Sequence, residues 1–140
     1  MSTSRAATAI KAMEIHPIFV HFPIAFYFLE LVLLLFWLGK KDDAFRRFAL
    51  FTFRLGFLFM IGAAVTGFLD AGGHFPPPRP VRPHFYAAVS VFVFYTVRGL
   101  YWHRARGGKF DRPLLIGGAI LGNALVALTG FLGGKLVYRD

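Results

Sequence analysis

Four apolar stretches, each about 20–25 residues long and so able to cross a ~30 Å hydrocarbon core as a helix, occupy most of this chain. They run from about Pro17 to Gly39, Phe48 to Leu69, His84 to His103 and Pro113 to Val137. A helix in a soluble bundle needs a polar stripe at helical spacing. Segments such as LVLLLFWLG and AAVSVFVFY have none. The expectation is a single all-α domain over residues 1–140, a transmembrane four-helix bundle.

Charge decides what such a bundle faces. Only 16% of residues are charged, yet the formal net charge is +9. A nucleic-acid binder would carry that excess on a folded polar surface, and this chain has too little polar sequence to build one. A positively charged membrane face fits better, because short loops rich in Lys and Arg are retained in the cytoplasm. Lys40, Lys41, Arg46, Arg47, Arg104, Arg106, Lys109 and Arg112 fall on the side of the two short linkers. Arg5, Lys11, Arg79, Arg82, Lys135 and Arg139 fall on the side of the termini and the longer middle linker. The first set is larger and sits in shorter loops, so both termini are expected outside, in the periplasm of a bacterial inner membrane.

Met1–Glu14 lacks the apolar core and cleavage pattern of a signal peptide. It reads either as a short interfacial helix, with Ala6, Ala7, Ile10 and Met13 on one face, or as a partly ordered tail. The middle linker, Gly72 to Pro80, is expected to be extended or turn-like. Asp111 and Pro113 are placed to start the last helix as N-cap and first-turn proline. In that helix Gly118 and Gly122, and again Gly130 and Gly134, have the spacing that lets backbones approach closely in lipid. Packing within the bundle is the favoured reading, and contact with a second subunit is the alternative.

The chain has no cysteine. Thiolate metal sites, cysteine-held clusters and covalent haem attachment are therefore excluded. Any metal or haem must use His, Met or carboxylate ligands. His16, His21, His74 and His84 gather at one membrane face, while His103 sits at the other. Each alone reads equally as an interfacial residue bonded to water or backbone. Together they suggest a shared site, since imidazole suits haem iron, copper or zinc. His16 and His21 are ~140° apart around a straight helix, so they do not face one ligand together unless Pro23 kinks the helix and turns His21 inward. The pairing expected is a first-span histidine with His84, in a slot provided by Phe residues and the small Ala87, Ala88 and Gly67.

Glu30, Arg54 and Arg98 fall inside three different spans at overlapping depths. Lone charges there are costly, so an ion-pair cluster of all three is expected. Its leftover positive charge leaves room for an anion such as a haem propionate or a lipid headgroup. Tyr95 and Tyr101 are positioned to add hydrogen bonds. No nucleophile elbow, phosphate-binding glycine loop or catalytic carboxylate pair is present, which argues against a stand-alone enzyme.

The segment Ile15 to Ala25, IHPIFVHFPIA, resembles the signature HP-x-x-V-H-F-P of a bacterial family of uncharacterised four-span membrane proteins. The similarity continues through Thr66-Gly67-Phe68-Leu69-Asp70, His84, and Thr129 to Tyr138. The resemblance implies the topology and, because such proteins look like small di-histidine b-type cytochromes, it implies haem. His16, His21 and His84 are the positions that match. The leading expectation is then a membrane electron-transfer subunit holding haem b near the outer face, with Arg54 and Arg98 near the cofactor. Its partners would be the lipid bilayer, other subunits of a redox complex or a cytochrome, and a quinone. The alternatives are a non-redox structural or assembly subunit of a larger membrane complex, and a metal-ion site.

Overall fold

The computed structural model describes residues 2–105 and 110–137, with side chains over 15–105 and 110–136. It contains four α-helices: α1 (Ser2–Lys40), α2 (Asp43–Asp70), α3 (Arg82–Arg104) and α4 (Arg112–Val137). A 3-10 turn, Arg79–Val81, leads into α3. Among the described residues there is no strand. α1 is one continuous helix through Pro17 and Pro23 and reaches back to Ser2. The side chains of the proposed amphipathic face, Ala6 to Met13, lie outside the described ones.

The helix ends are specified locally. Asp42 caps α2, its Oδ1 accepting from the Ala44 N–H at 2.8 Å, which satisfies one of the orphan donors of the first turn. Asp111 caps α4 as expected, accepting from the Leu114 N–H at 3.2 Å. Between α1 and α2 the chain reverses over Lys41, at φ 56°. After α2 it turns through Gly72 (φ 90°) and Gly73 (φ 67°), a region where a Cβ is disfavoured. The middle linker is the turn-like segment its composition implies.

α1 packs most extensively on α2, α4 lies against both α1 and α3, and α2 touches α3 only sparsely. The helices therefore form a ring in chain order, with α1 and α3 on one diagonal. Across that diagonal the rings of Tyr27 and Tyr95 stack at 3.6 Å, and both residues are fully buried. Glycines on the flanking helices make the room. A Cβ on Gly56 would lie 2.9 Å from the Tyr27 ring, and one on Gly122 would lie 2.5 Å from Tyr95 Oη. A Cβ on Gly118 would lie 3.1 Å from Arg98 Nε, whereas Gly130 and Gly134 meet nothing within 4 Å. The first glycine pair thus serves internal packing, and the second does not.

The exterior is apolar. Phe28, Phe48, Leu58, Leu69, Val97 and Phe131 are each about three-fifths exposed. Such a surface would be untenable in water and is what a lipid solvent requires. Ile15–Lys40, Asp43–Asp70 and Arg112–Leu136 are long and apolar enough to cross a membrane. α3 has the length, but Arg82, His84, Arg98, His103 and Arg104 keep it below the same apolarity.

The bundle is also internally repetitive. His16, Phe26, Tyr27 and Glu30 of α1 recur in the same order and spacing in α3 as His84, Phe94, Tyr95 and Arg98. Thr66-Gly67-Phe68-Leu69 of α2 recurs in α4 as Thr129-Gly130-Phe131-Leu132. The repeat is one of sequence and not of packing, since α1 packs on α2 far more extensively than α3 does on α4. The Tyr27–Tyr95 stack brings matching positions of the α1 and α3 repeat together.

Candidate functional site

Two polar constellations occupy the interior at different depths. The deeper one is next to the tyrosine stack. Arg98 donates from Nη2 to Glu30 Oε1 at 2.7 Å and from Nη1 to Oε2 at 3.0 Å. This bidentate arrangement is the strongest geometry for such a pair. Glu30 is fully buried and Arg98 nearly so. The guanidinium also lies 5.3 Å from the Phe53 ring centroid and 5.4 Å from that of Tyr95, within cation–π range. Below the stack, Tyr27 Oη donates to Met60 Sδ at 3.6 Å. Asn123 Nδ2 bridges the carbonyls of Tyr27 (3.1 Å) and Ala119 (2.9 Å), tying α4 to α1. Every group in this cluster is turned onto another part of the bundle, which makes it a lock between helices.

Arg54 is not part of that lock. The three-membered cluster expected from depth alone is a pair, because Arg54 is exposed on the α2–α3 side and does not meet Glu30. Depth places residues on a common level but does not set their direction around the helix. The expected tyrosine hydrogen bonds divide likewise. Tyr101 Oη accepts from the Asp111 N–H at 3.0 Å, while Tyr95 Oη is buried with no partner among the described residues.

The second constellation is built from histidines. His16 and His84 occupy matching positions in the repeat, the same number of residues before Tyr27 and Tyr95. Both stand about three turns from the stack, towards the end that carries the middle linker. His16 is within electrostatic reach of His84 and of Asp70. His84 Nδ1 is 3.0 Å from the Thr129 carbonyl oxygen, which only accepts, so Nδ1 carries the proton. His16 Nδ1 is 3.1 Å from Thr66 Oγ1. The Thr66 hydroxyl donates to the Gly62 carbonyl at 2.9 Å, which leaves its oxygen able to accept from Nδ1–H. His84 is thus held in the tautomer that leaves Nε2 with a free lone pair, and the same tautomer of His16 accords with a Thr66 hydroxyl bonded to its own helix. A ligand histidine is held this way when its other ring nitrogen is bonded to the protein. Glycine admits each ring: a Cβ on Gly67 would lie 2.7 Å from the His16 ring, and one on Gly133 2.9 Å from that of His84.

The other histidines stand apart. His21 is exposed and its Nδ1 donates to the carbonyl of Pro17 in its own helix. The inward turn considered for it does not occur, because His16 takes the inward face and His21 lies far around the helix from it. His74 is exposed on the linker, and His103 lies at the opposite end. Arg98 is engaged with Glu30 and Arg54 lies in the other half of the bundle, so neither is brought to the histidines. Among the described side chains, the cationic residues at the histidine end are Arg79, Arg82 and Lys135.

The histidine half is also less deeply buried. More than one turn beyond the tyrosine stack, no described helix side chain is fully buried. Ala87, Ala88 and Gly67 are only partly covered. Among the described residues no three His, Asp or Glu side chains meet as a metal cage would require. Sequence reasoning had found His16 and His84 but not the residues that orient them, Thr66 and Thr129. Both lie in the repeated TGFL, but one acts through its hydroxyl and the other through its backbone carbonyl, so only the packing of α2 and α4 assigns them.

An all-helical bundle with an apolar exterior and a buried ion pair defines an integral membrane protein. More narrowly, the chain belongs to the family described as predicted membrane protein (DUF2231), whose model matches residues 12–140. No curated protein and no solved structure matches it.

Proposed function

We propose that this protein is a membrane electron-transfer subunit that holds one b-type haem between His16 and His84. The observation that carries the reading is the matched pair of imidazoles, each with Nδ1 anchored and Nε2 free. Two donors suit haem iron because the porphyrin supplies the remaining four positions, whereas a bare metal ion needs a larger protein cage. The less deeply buried histidine half and the glycines against both rings are compatible with a flat apolar group. Haem, when bound, supplies a reversible one-electron change at iron. The chain's own residues orient the two imidazoles through Thr66 and Thr129, hold their tautomers, and surround them with apolar wall. Such a subunit exchanges electrons with a quinol or a partner cytochrome.

In this reading α3 is the fourth span. Its 23 residues cover ~34 Å, and its most costly charge, Arg98, is matched by Glu30. The short linkers lie in the cytoplasm of a bacterial inner membrane, and the histidine site lies near the outer face.

Reduced-minus-oxidised visible spectra of the protein purified in mild detergent from haem-replete cells test this directly. The expected result is a Soret band with sharp alpha and beta bands, lost in His16→Ala and His84→Ala and kept in His21→Ala. A colourless wild-type preparation, or loss confined to His21→Ala, overturns the proposal.

A further inference from the structure

At the other end of the bundle, α2 and α3 leave a crevice of about 380 Å3, within the range of small-molecule sites (~300–1,000 Å3). Its walls are apolar, including Phe57, Gly99 and Trp102, with Thr96 alongside; Arg54 and His103 supply the charged and hydrogen-bonding groups. The opening exists because α2 and α3 touch so sparsely and because Gly99 carries no side chain. A Cβ there would already be 3.4 Å from the Phe53 ring, so a longer residue would grow into the space.

Arg54 has no counter-charge within the described protein. Glu30 is taken by Arg98. Asp42 and Asp111 cap helices, Asp43 bonds Trp37 and Arg46, and Asp70 is at the far end of α2. An arginine inside a membrane-spanning helix reaches for the interface along its own stem, where an anion stabilises it. Antiparallel packing sets the levels: Phe53 of α2 meets Gly99 of α3, so Arg54 lies deeper than His103 by about one and a half turns, a gap its long side chain can span. Lys40, Lys41, Arg47 and Arg104 are exposed at the same end and add to the positive field. Basic pockets between membrane helices on such a face suit acidic headgroups.

We propose that the α2–α3 crevice binds an anionic phospholipid. Its phosphate lies at Arg54 and His103, and one acyl chain runs along Phe57, Thr96 and Gly99. The site shares no residue with the histidine pair and stands independently of the haem reading. Native mass spectrometry of the detergent-solubilised protein, titrated separately with phosphatidylglycerol, phosphatidylcholine and inorganic phosphate, tests it. Phosphatidylglycerol should bind more tightly than phosphatidylcholine, and Arg54→Gln should weaken it about tenfold, as loss of a charge-assisted pair implies. Gly99→Leu should weaken it as well, with no change in charge. Arg54 is exposed, so the first variant retains the fold, checked by its thermal unfolding, even if the second does not. Equal binding of the two lipids, or wild-type affinity in Arg54→Gln, overturns the proposal. Competition by inorganic phosphate together with an unaffected Gly99→Leu overturns it in favour of a free-anion site.

Discussion

The Glu30–Arg98 pair shows what a single buried charge demands of its surroundings. Neither residue is tolerable alone in a dry interior, and removing one partner leaves the other uncompensated, at about 3–5 kcal/mol. Arg98→Ala is therefore expected to lower the thermal unfolding midpoint in detergent sharply. The double variant Glu30→Leu with Arg98→Met removes both charges while keeping bulk, so it should be markedly milder. Circular dichroism melts of the three proteins decide this; a double variant as unstable as Arg98→Ala would show that packing, not charge, holds the position. The same logic separates Arg54 from Arg98. Both occur at similar depth in apolar segments, but only Arg98 is turned towards a carboxylate.

At the scale of the helix, α4 uses glycine in two ways that its sequence does not distinguish. Gly122 lies under the Tyr95 hydroxyl, and the Tyr95 ring cannot retreat because it is stacked on Tyr27 at 3.6 Å. Gly122→Ala should cost about 1–3 kcal/mol, the usual penalty for overpacking. Gly117 meets nothing within 4 Å, and Gly117→Ala should be neutral or gain up to about 1 kcal/mol from helix propensity. Unfolding of both variants in the same detergent checks the contrast, which vanishes if α4 packs through its other face. α3 shows the reverse situation. Its charges and histidines make it the least apolar of the four helices, yet each of the two that face inward, His84 and Arg98, has a partner.

For the whole molecule, the sequence repeat between α1 and α3 accompanies an interior that is polar at two levels. Matching positions of α1 and α3 meet as tyrosine on tyrosine and glutamate on arginine, and His16 and His84 stand the same number of residues from the stack. The proposed orientation is open to a clean test because the chain has no cysteine of its own. Single cysteines at Lys41 and His74, both exposed, should label from opposite sides of intact cells with a membrane-impermeant thiol reagent. His74→Cys is expected to react from outside and Lys41→Cys only after the membrane is opened. The opposite pattern would invert the topology while leaving the fold intact.

The long apolar runs, by themselves, determined the helices, the lipid-facing exterior and most element boundaries, because a chain with so little polar sequence has no other way to satisfy its backbone. The cap at Asp111 and the turn after Asp70 were legible too, since each depends on a few adjacent residues. What the sequence left open was direction around each helix. These helices are apolar on nearly every side, so no amphipathic stripe marks the inward face. Only tertiary packing decided that His16 faces inward and His21 does not, that Glu30 pairs with Arg98 and not Arg54, and that Thr66 and Thr129 orient the two imidazoles. Those choices depend on where a neighbouring helix offers a carbonyl, a hydroxyl or the space of a glycine.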